Sequence, residues 1–331
     1  MKLYISFGIL FVALFFSACS TKQVFEPAHL DQEWTKYKHS KDGIIDTSYD
    51  VALLEHDKVL TDNGVVDVAI EKEHRIISNS DGWILSASID GNLTLTSIDD
   101  KTLRENFELK KTIASASVHG DNLAVLFADN ELSLYSISTK EIFFNEQGTE
   151  SLAVNTKIVN PYFINDLVLF STLDGKVIIV NLKLKKKLRT VIVSTEDNFN
   201  NVIYLNMIDN KIIAATGYKI LSMADKEIRV SYESRNIVYD GKNVIIATKQ
   251  GEIVSLTPDL QLNAKIKFPF AHFLGMIAYE GKLYILEREG YMIVLDKNLI
   301  DYSVHETDIE DGYKFISQNV FYIDDEQILI K

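Results

Sequence analysis

One pattern recurs along this chain and leaves few folds open to it: a turn, an apolar strand, an Asp/Gly turn, a second strand, then a polar hairpin. It is clearest at 82–103 (GWILSASIDGNLTLTSIDDKTL) and 281–300 (GKLYILEREGYMIVLDKNLI), and returns at 121–142, 165–188, 209–228 and 241–262. A shortened copy runs from Gln318 to Lys331. Aligned on the polar hairpin, the copies start near Ser97, Ser136, Asn181, Ser222, Thr257 and Asp296, a spacing of roughly 40 residues, the length of a four-stranded propeller blade. A helical solenoid would need apolar residues every 3.6 positions. Asn92–Ile98 (NLTLTSI) and Glu131–Ile137 (ELSLYSI) instead alternate, the period-2 mark of strands with one face buried.

These observations predict an all-β chain forming a single β-propeller of four-stranded antiparallel blades. Asp90-Gly91 and Asp174-Gly175 supply residues that accept positive φ at two-residue turns, and Gly251 and Gly290 fill the same slot. The last copy stops after its third strand, so the ring needs an N-terminal strand to close it and leave no open edge. Val51–Glu55 (VALLE) and Lys58–Ile70 (KVLTDNGVVDVAI) read as strands joined through the Asn63-Gly64 hairpin turn, and are expected to close the last blade. Seven blades are favoured; residues 48–70 would make eight if they form most of another.

The N-terminus carries a separate signal. Lys2 precedes an apolar run from Leu3 to Phe16, shorter than the roughly twenty residues a membrane-spanning helix needs and suited to a signal-peptide core. It ends in Phe16-Ser17-Ala18-Cys19, which resembles the bacterial lipobox, although Phe16 stands where that pattern prefers an aliphatic residue. The expected organisation is therefore 1–18 signal peptide, 19–47 lipidated Cys19 and tether, and 48–331 propeller. Within the tether, Trp34 either packs on the body or hangs free. Cys19 is the sole cysteine, so no internal disulfide can form, and acylation accounts for the odd thiol. Ser20 follows the cysteine, and by resemblance to sorted lipoproteins this points to the outer membrane, with the propeller facing the periplasm.

Chemistry is sparse. The seven histidines show no metal-ligand spacing, Cys19 is committed to lipid, and neither a GxSxG elbow nor a phosphate-binding loop occurs, so no catalytic or metal residue is assigned and no enzyme is expected. A formal charge of −13 disfavours nucleic acid, which binds through a basic field. The one cationic run, Lys183 to Arg189, is read chiefly as a solvated hairpin, with Lys185 and Lys187 as candidate contacts for an acidic partner or anionic headgroups. Two aromatic segments, 160–163 (Tyr162, Phe163) and 268–273 (Phe268, Phe270, His272, Phe273), fall between blades. They are candidate anchors for a protein partner, with packing between blades as the alternative.

The copy at 281–300 looks like the pyrroloquinoline-quinone-type repeat, whose second strand ends in Leu-Asp, and the likeness spans about residues 50–331. Quinoproteins of that class carry a girdle of docking tryptophans, whereas this chain has only Trp34 and Trp83, so no cofactor is expected. A lipid-anchored, quinone-free propeller resembles the BamB family. That resemblance implies a non-enzymatic protein-interaction scaffold in the envelope, with the outer-membrane barrel-assembly complex among its partners. A propeller that binds a small molecule or acts as an envelope enzyme, and a surface-exposed adhesin-type lipoprotein, are the alternatives.

Overall fold

The repeat folds into eight four-stranded antiparallel sheets, one more than the favoured seven. The computed structural model describes residues 23–309 and 311–330; the signal peptide and Cys19 lie outside the described residues. Blades 1 to 7 are consecutive meanders at 44–67, 75–108, 113–147, 162–192, 204–231, 234–267 and 273–306. Blade 8 is composite: Lys314–Ser317, Val320–Ile323 and Glu326–Leu329 are completed by Tyr37–His39, with Tyr37 opposite Ile328 and His39 opposite Glu326. The ring is closed by an N-terminal strand as expected, but a different one. Residues 51–67, assigned to the last blade from sequence, make blade 1 with Ile44–Thr47. Its strands are only three or four residues long, too short for their alternation to stand out.

The segment expected as a tether is accordingly built into the body. Trp34 is buried against Tyr284 and His305, and its indole N–H donates to the Leu329 carbonyl at 3.1 Å. Phe25 meets Phe268 and Tyr291 edge-on at 5.9 and 5.6 Å. Burying such aromatic side chains contributes about 1.5–3 kcal/mol each. This is enough to hold the closing strand where its three residues alone would not.

Apolar packing explains why the ring has to close. Eight buried clusters correspond to the eight blade-to-blade interfaces. In blade 3, Leu123, Val125 and Phe127 pack toward blade 2, while Ala124 and Leu126 pack toward blade 4. Successive side chains of a strand point to opposite faces, so a strand sandwiched between blades has both faces buried. The one-face reading of Asn92–Ser97 is thereby corrected: Thr94 and Thr96 are buried too, and the Thr94 hydroxyl donates to Glu71 Oε1 at 3.1 Å. Outermost strands escape this, as Lys186–Ile192 shows, where only Val191 is buried. The interface between blades 8 and 1 gathers only Ile44, Ala52, Leu54, Leu60 and Phe315, the smallest of the eight clusters.

Candidate functional site

A meander places the start of its first strand, the turn after its second and the end of its fourth at one end of the ring. The turns after the first and third strands lie at the other. At this second, turn end, the first hairpin is a two-residue connection in six blades, for example Ser80 paired with Trp83 and Tyr279 with Lys282. Asp81 and Gly82, and Glu280 and Gly281, all have positive φ, as type I′ turns require. The expected two-residue turns are longer loops instead, four residues at Gly91 and Gly175 and three at Gly251 and Gly290, at the first, loop end. Each glycine closes its loop at positive φ, and its carbonyl accepts the backbone N–H that follows the outer strand, from Leu109, Val193, Phe268 and Thr307. That bond brings the interblade connection down onto the loop and fixes where the connection's side chains emerge.

Long, side-chain-rich connections therefore gather at the loop end. Connections 148–161 and 193–203 are stitched together: Phe199 N–H donates to the Ala153 carbonyl at 2.8 Å, and the Asn201 side chain accepts from Asn155 N–H at 2.6 Å and donates to Lys157 O at 2.7 Å. Leu152 is 95% exposed, Ile89 76%, Phe270 57% and Phe199 50%, four apolar side chains on loops of this one end. Phe270 occupies the third position of a turn closed by Ala271 N–H on Phe268 O, after Pro269, with φ of 64°. That geometry favours glycine, so a phenylalanine held there and facing solvent stores strain of order 1 kcal/mol.

The candidate residues separate between the two ends. Phe270 and His272 lie at the loop end, whereas Lys185 and Lys187 lie on the third hairpin of blade 4, at the turn end. Phe268 and Phe273 are 3% and 1% exposed and pack edge-on at 6.3 Å, so they are core and not surface anchors. Tyr162, 38% exposed, and Phe163, half-buried against His119, belong to the inner strand of blade 4. The cationic run is largely neutralised: Lys183 pairs with Asp166 at 2.6 Å, Lys187 with Glu146 at 2.7 Å and Arg189 with Glu227 at 2.5 Å, while the Lys185 ammonium sits 5.2 Å from the Phe143 ring centroid.

Sequence reading missed the ring axis. A solvent-open cavity of about 390 Å³ lies among the inner strands and two inserted loops. Tyr49 enters from blade 1 and faces Tyr204 of blade 5, on the opposite side of an eight-membered ring. Desolvation of the Tyr49 hydroxyl beside Tyr204 raises its pKa well above its ordinary value. Lys157 enters from connection 148–161, and its ammonium donates to Arg235 O at 3.0 Å and Asn236 Oδ1 at 2.5 Å. Desolvation of its ammonium among the cavity walls, with the Arg235 charge, pulls the Lys157 pKa down to about 8. Arg235 Nη1 donates to His272 Nε2 at 2.5 Å, and the backbone N–H of His272 donates to the buried Glu287 carboxylate at 2.7 Å. Burial lifts the Asp50 pKa to about 7, which the Asn79 backbone N–H and Asn160 side chain oppose without cancelling. No His/Cys/Asp/Glu cluster suited to a metal ion occurs among the described residues.

No protein-family model matches the sequence. Plasminogen-binding protein PgbB of Helicobacter pylori is 30% identical over 373 aligned positions, covering 96% of this chain and 68% of that protein. The chain belongs to the PgbB family. PgbB of a second Helicobacter pylori strain is 29% identical with the same coverage. Among solved structures, BamB of Moraxella catarrhalis superposes with a TM-score of 0.69 at 12% identity, covering 90% of this chain and 98% of that one. The C-terminal WD40 domain of Sif2 gives 0.67 at 12% identity, over 92% of this chain and all of that one. At such identities the likeness is one of fold, and this PgbB-family chain is a BamB-like β-propeller.

Proposed function

We propose that this chain is a non-enzymatic, protein-binding propeller, anchored to the outer membrane through Cys19, that captures plasminogen on its loop end. The observation that carries this reading is the sequence match to a plasminogen-binding protein along 96% of the chain. The geometry supports the loop end as the docking face. Leu152, Phe199 and Phe270 are exposed apolar side chains on connections braced by backbone hydrogen bonds, and rigid apolar anchors are what protein interfaces place at their centres. Lys185 and Lys187, at the other end, are a secondary electrostatic contact.

The test is plasminogen binding by the detergent-solubilised full chain on a biosensor. Combined replacement L152A/F199A/F270A should weaken binding by at least about tenfold, and K185E/K187E by less than about threefold, as for rim charges. Absence of binding, or a triple variant that binds like the parent, contradicts the reading. Anchoring is tested by C19A, which should move the protein out of the membrane fraction.

The fold match to BamB favours a second reading, a periplasm-facing scaffold for outer-membrane protein assembly. Proteinase K on intact cells separates the two: plasminogen capture requires an accessible propeller. A scaffold requires a protected one that crosslinks to the insertase.

A further inference from the structure

The axial cavity is lined by cations for which no acidic partner occurs among the described residues. Lys157 and Arg235 both line it, in a chain whose formal charge is −13. Among the described residues, no carboxylate lies within ion-pair distance of Lys157, Arg235 or the nearby Arg288, although other lysines and arginines of the ring find acidic partners. Arg288 lies close enough for its charge to act on Arg235, so the cations repel one another. Arg235 Nε is buried without a hydrogen-bond partner, and Nη1 is spent on an imidazole nitrogen. Lys157 uses its donors on neutral oxygens, one backbone and one amide.

Neighbouring cations without a counter-charge repel one another, and a guanidinium offers five donors in a fork that matches a carboxylate or phosphate. An anion entering the cavity supplies what both cations lack. The rest of the wall is mixed: Thr47, Ser48, Thr156, Asn236 and a third cation, Lys314, contribute polar atoms, and Ile203, Val238, Leu274, Met276, Phe315 and Phe321 form an apolar stretch. A volume of about 390 Å³ falls at the lower end of the roughly 300–1,000 Å³ typical of small-molecule sites. We propose that this cavity binds a small organic anion, its charged head between Lys157 and Arg235 and its apolar body along the inner strands. The site shares connections 148–161 and 268–272 with the docking face above, but its anion is argued from the cavity alone and does not depend on plasminogen binding.

Isothermal titration of the detergent-solubilised full chain with 4-phenylbutyrate, and with 4-phenylbutanol as its neutral counterpart, tests this directly. The carboxylate should bind at least about tenfold tighter than the alcohol, the range expected of charge-assisted hydrogen bonds. K157Q and R235Q should each erase most of that preference, whereas R235K, which keeps the charge and loses the fork, should retain part of it. Circular dichroism confirms that each variant is folded; should K157Q not fold, the R235Q and R235K pair decides. Failure of 4-phenylbutyrate to bind, equal affinity for acid and alcohol, or R235Q binding the acid like the parent overturns the proposal.

Discussion

The two ends of this ring are built from the same residue types under opposite constraints. At the turn end, Gly82, Gly120 and Gly241 take positive φ in open space, with no atom within 4 Å of where a Cβ would project. At the loop end, a Cβ on Gly91, Gly175 or Gly251 would come within 2.3–2.4 Å of a neighbouring backbone or amide atom, because the interblade connection folds over the loop. The turn end therefore needs glycine only for its dihedral angles. The loop end needs it for space as well, and there the chain carries Leu152, Phe199 and Phe270 on braced connections and the cavity cations Lys157 and Arg235, for which no acidic partner occurs among the described residues.

The sharpest way to break this comparison is a matched pair of alanines. Gly175→Ala puts a methyl 2.3 Å from Asn200 Nδ2, whose amide ties Asp174 O and Ser194 O together, and should cost about 3 kcal/mol or more through clash and strain. Gly82→Ala should cost about 1 kcal/mol, the dihedral penalty alone. Urea unfolding midpoints of the two variants check this, and equal costs would dissolve the distinction between the ends.

A second prediction concerns the axis. The Asp50 carboxyl, raised to about 7 by burial with the Asp62 charge adding a smaller push, binds its proton more tightly folded than unfolded. Its contribution is complete below the unfolded pKa near 4 and is lost as pH rises through about 7. Asp50→Asn should thus stabilise the protein by about 1–3 kcal/mol at pH 8 and by little at pH 4, allowing for partial solvent screening. Thermal melts across that range are the measurement.

Smaller still is the relief expected at Phe270. Phe270→Gly should leave stability equal or raise it by up to about 1 kcal/mol while weakening plasminogen binding, separating strain from structural need. Smallest is the rim: Lys140→Ala, which removes a solvent-exposed ion pair with Glu105 and the stacking of Lys140 on the Phe107 ring, should cost less than about 1 kcal/mol, with the ionic part fading in high salt.

The architecture was legible because the second and third strands of each blade are five or six residues of nearly unbroken burial in blades 2 to 7, repeated at a steady interval. Blade number was not. Blade 1 spends three or four residues per strand, and the closing strand Tyr37–His39 has no buried residue of its own to advertise it. The surface run at 183–189 was readable as a cluster, but its ion pairs with Asp166, Glu146 and Glu227, from its own and both adjacent blades, were not. Lys157 and Arg235 stand 78 positions apart with no local motif between them. Only the closure of the ring makes them neighbours, so no periodicity could have marked them.

Hydrogen exchange of the chain with and without plasminogen reports most directly on where a partner docks. Slowed exchange should map to connections 148–161, 193–203 and 268–272 at the loop end. Protection confined to the 182–192 hairpin and edge strand, or none anywhere, would contradict a docking face built from the interblade connections.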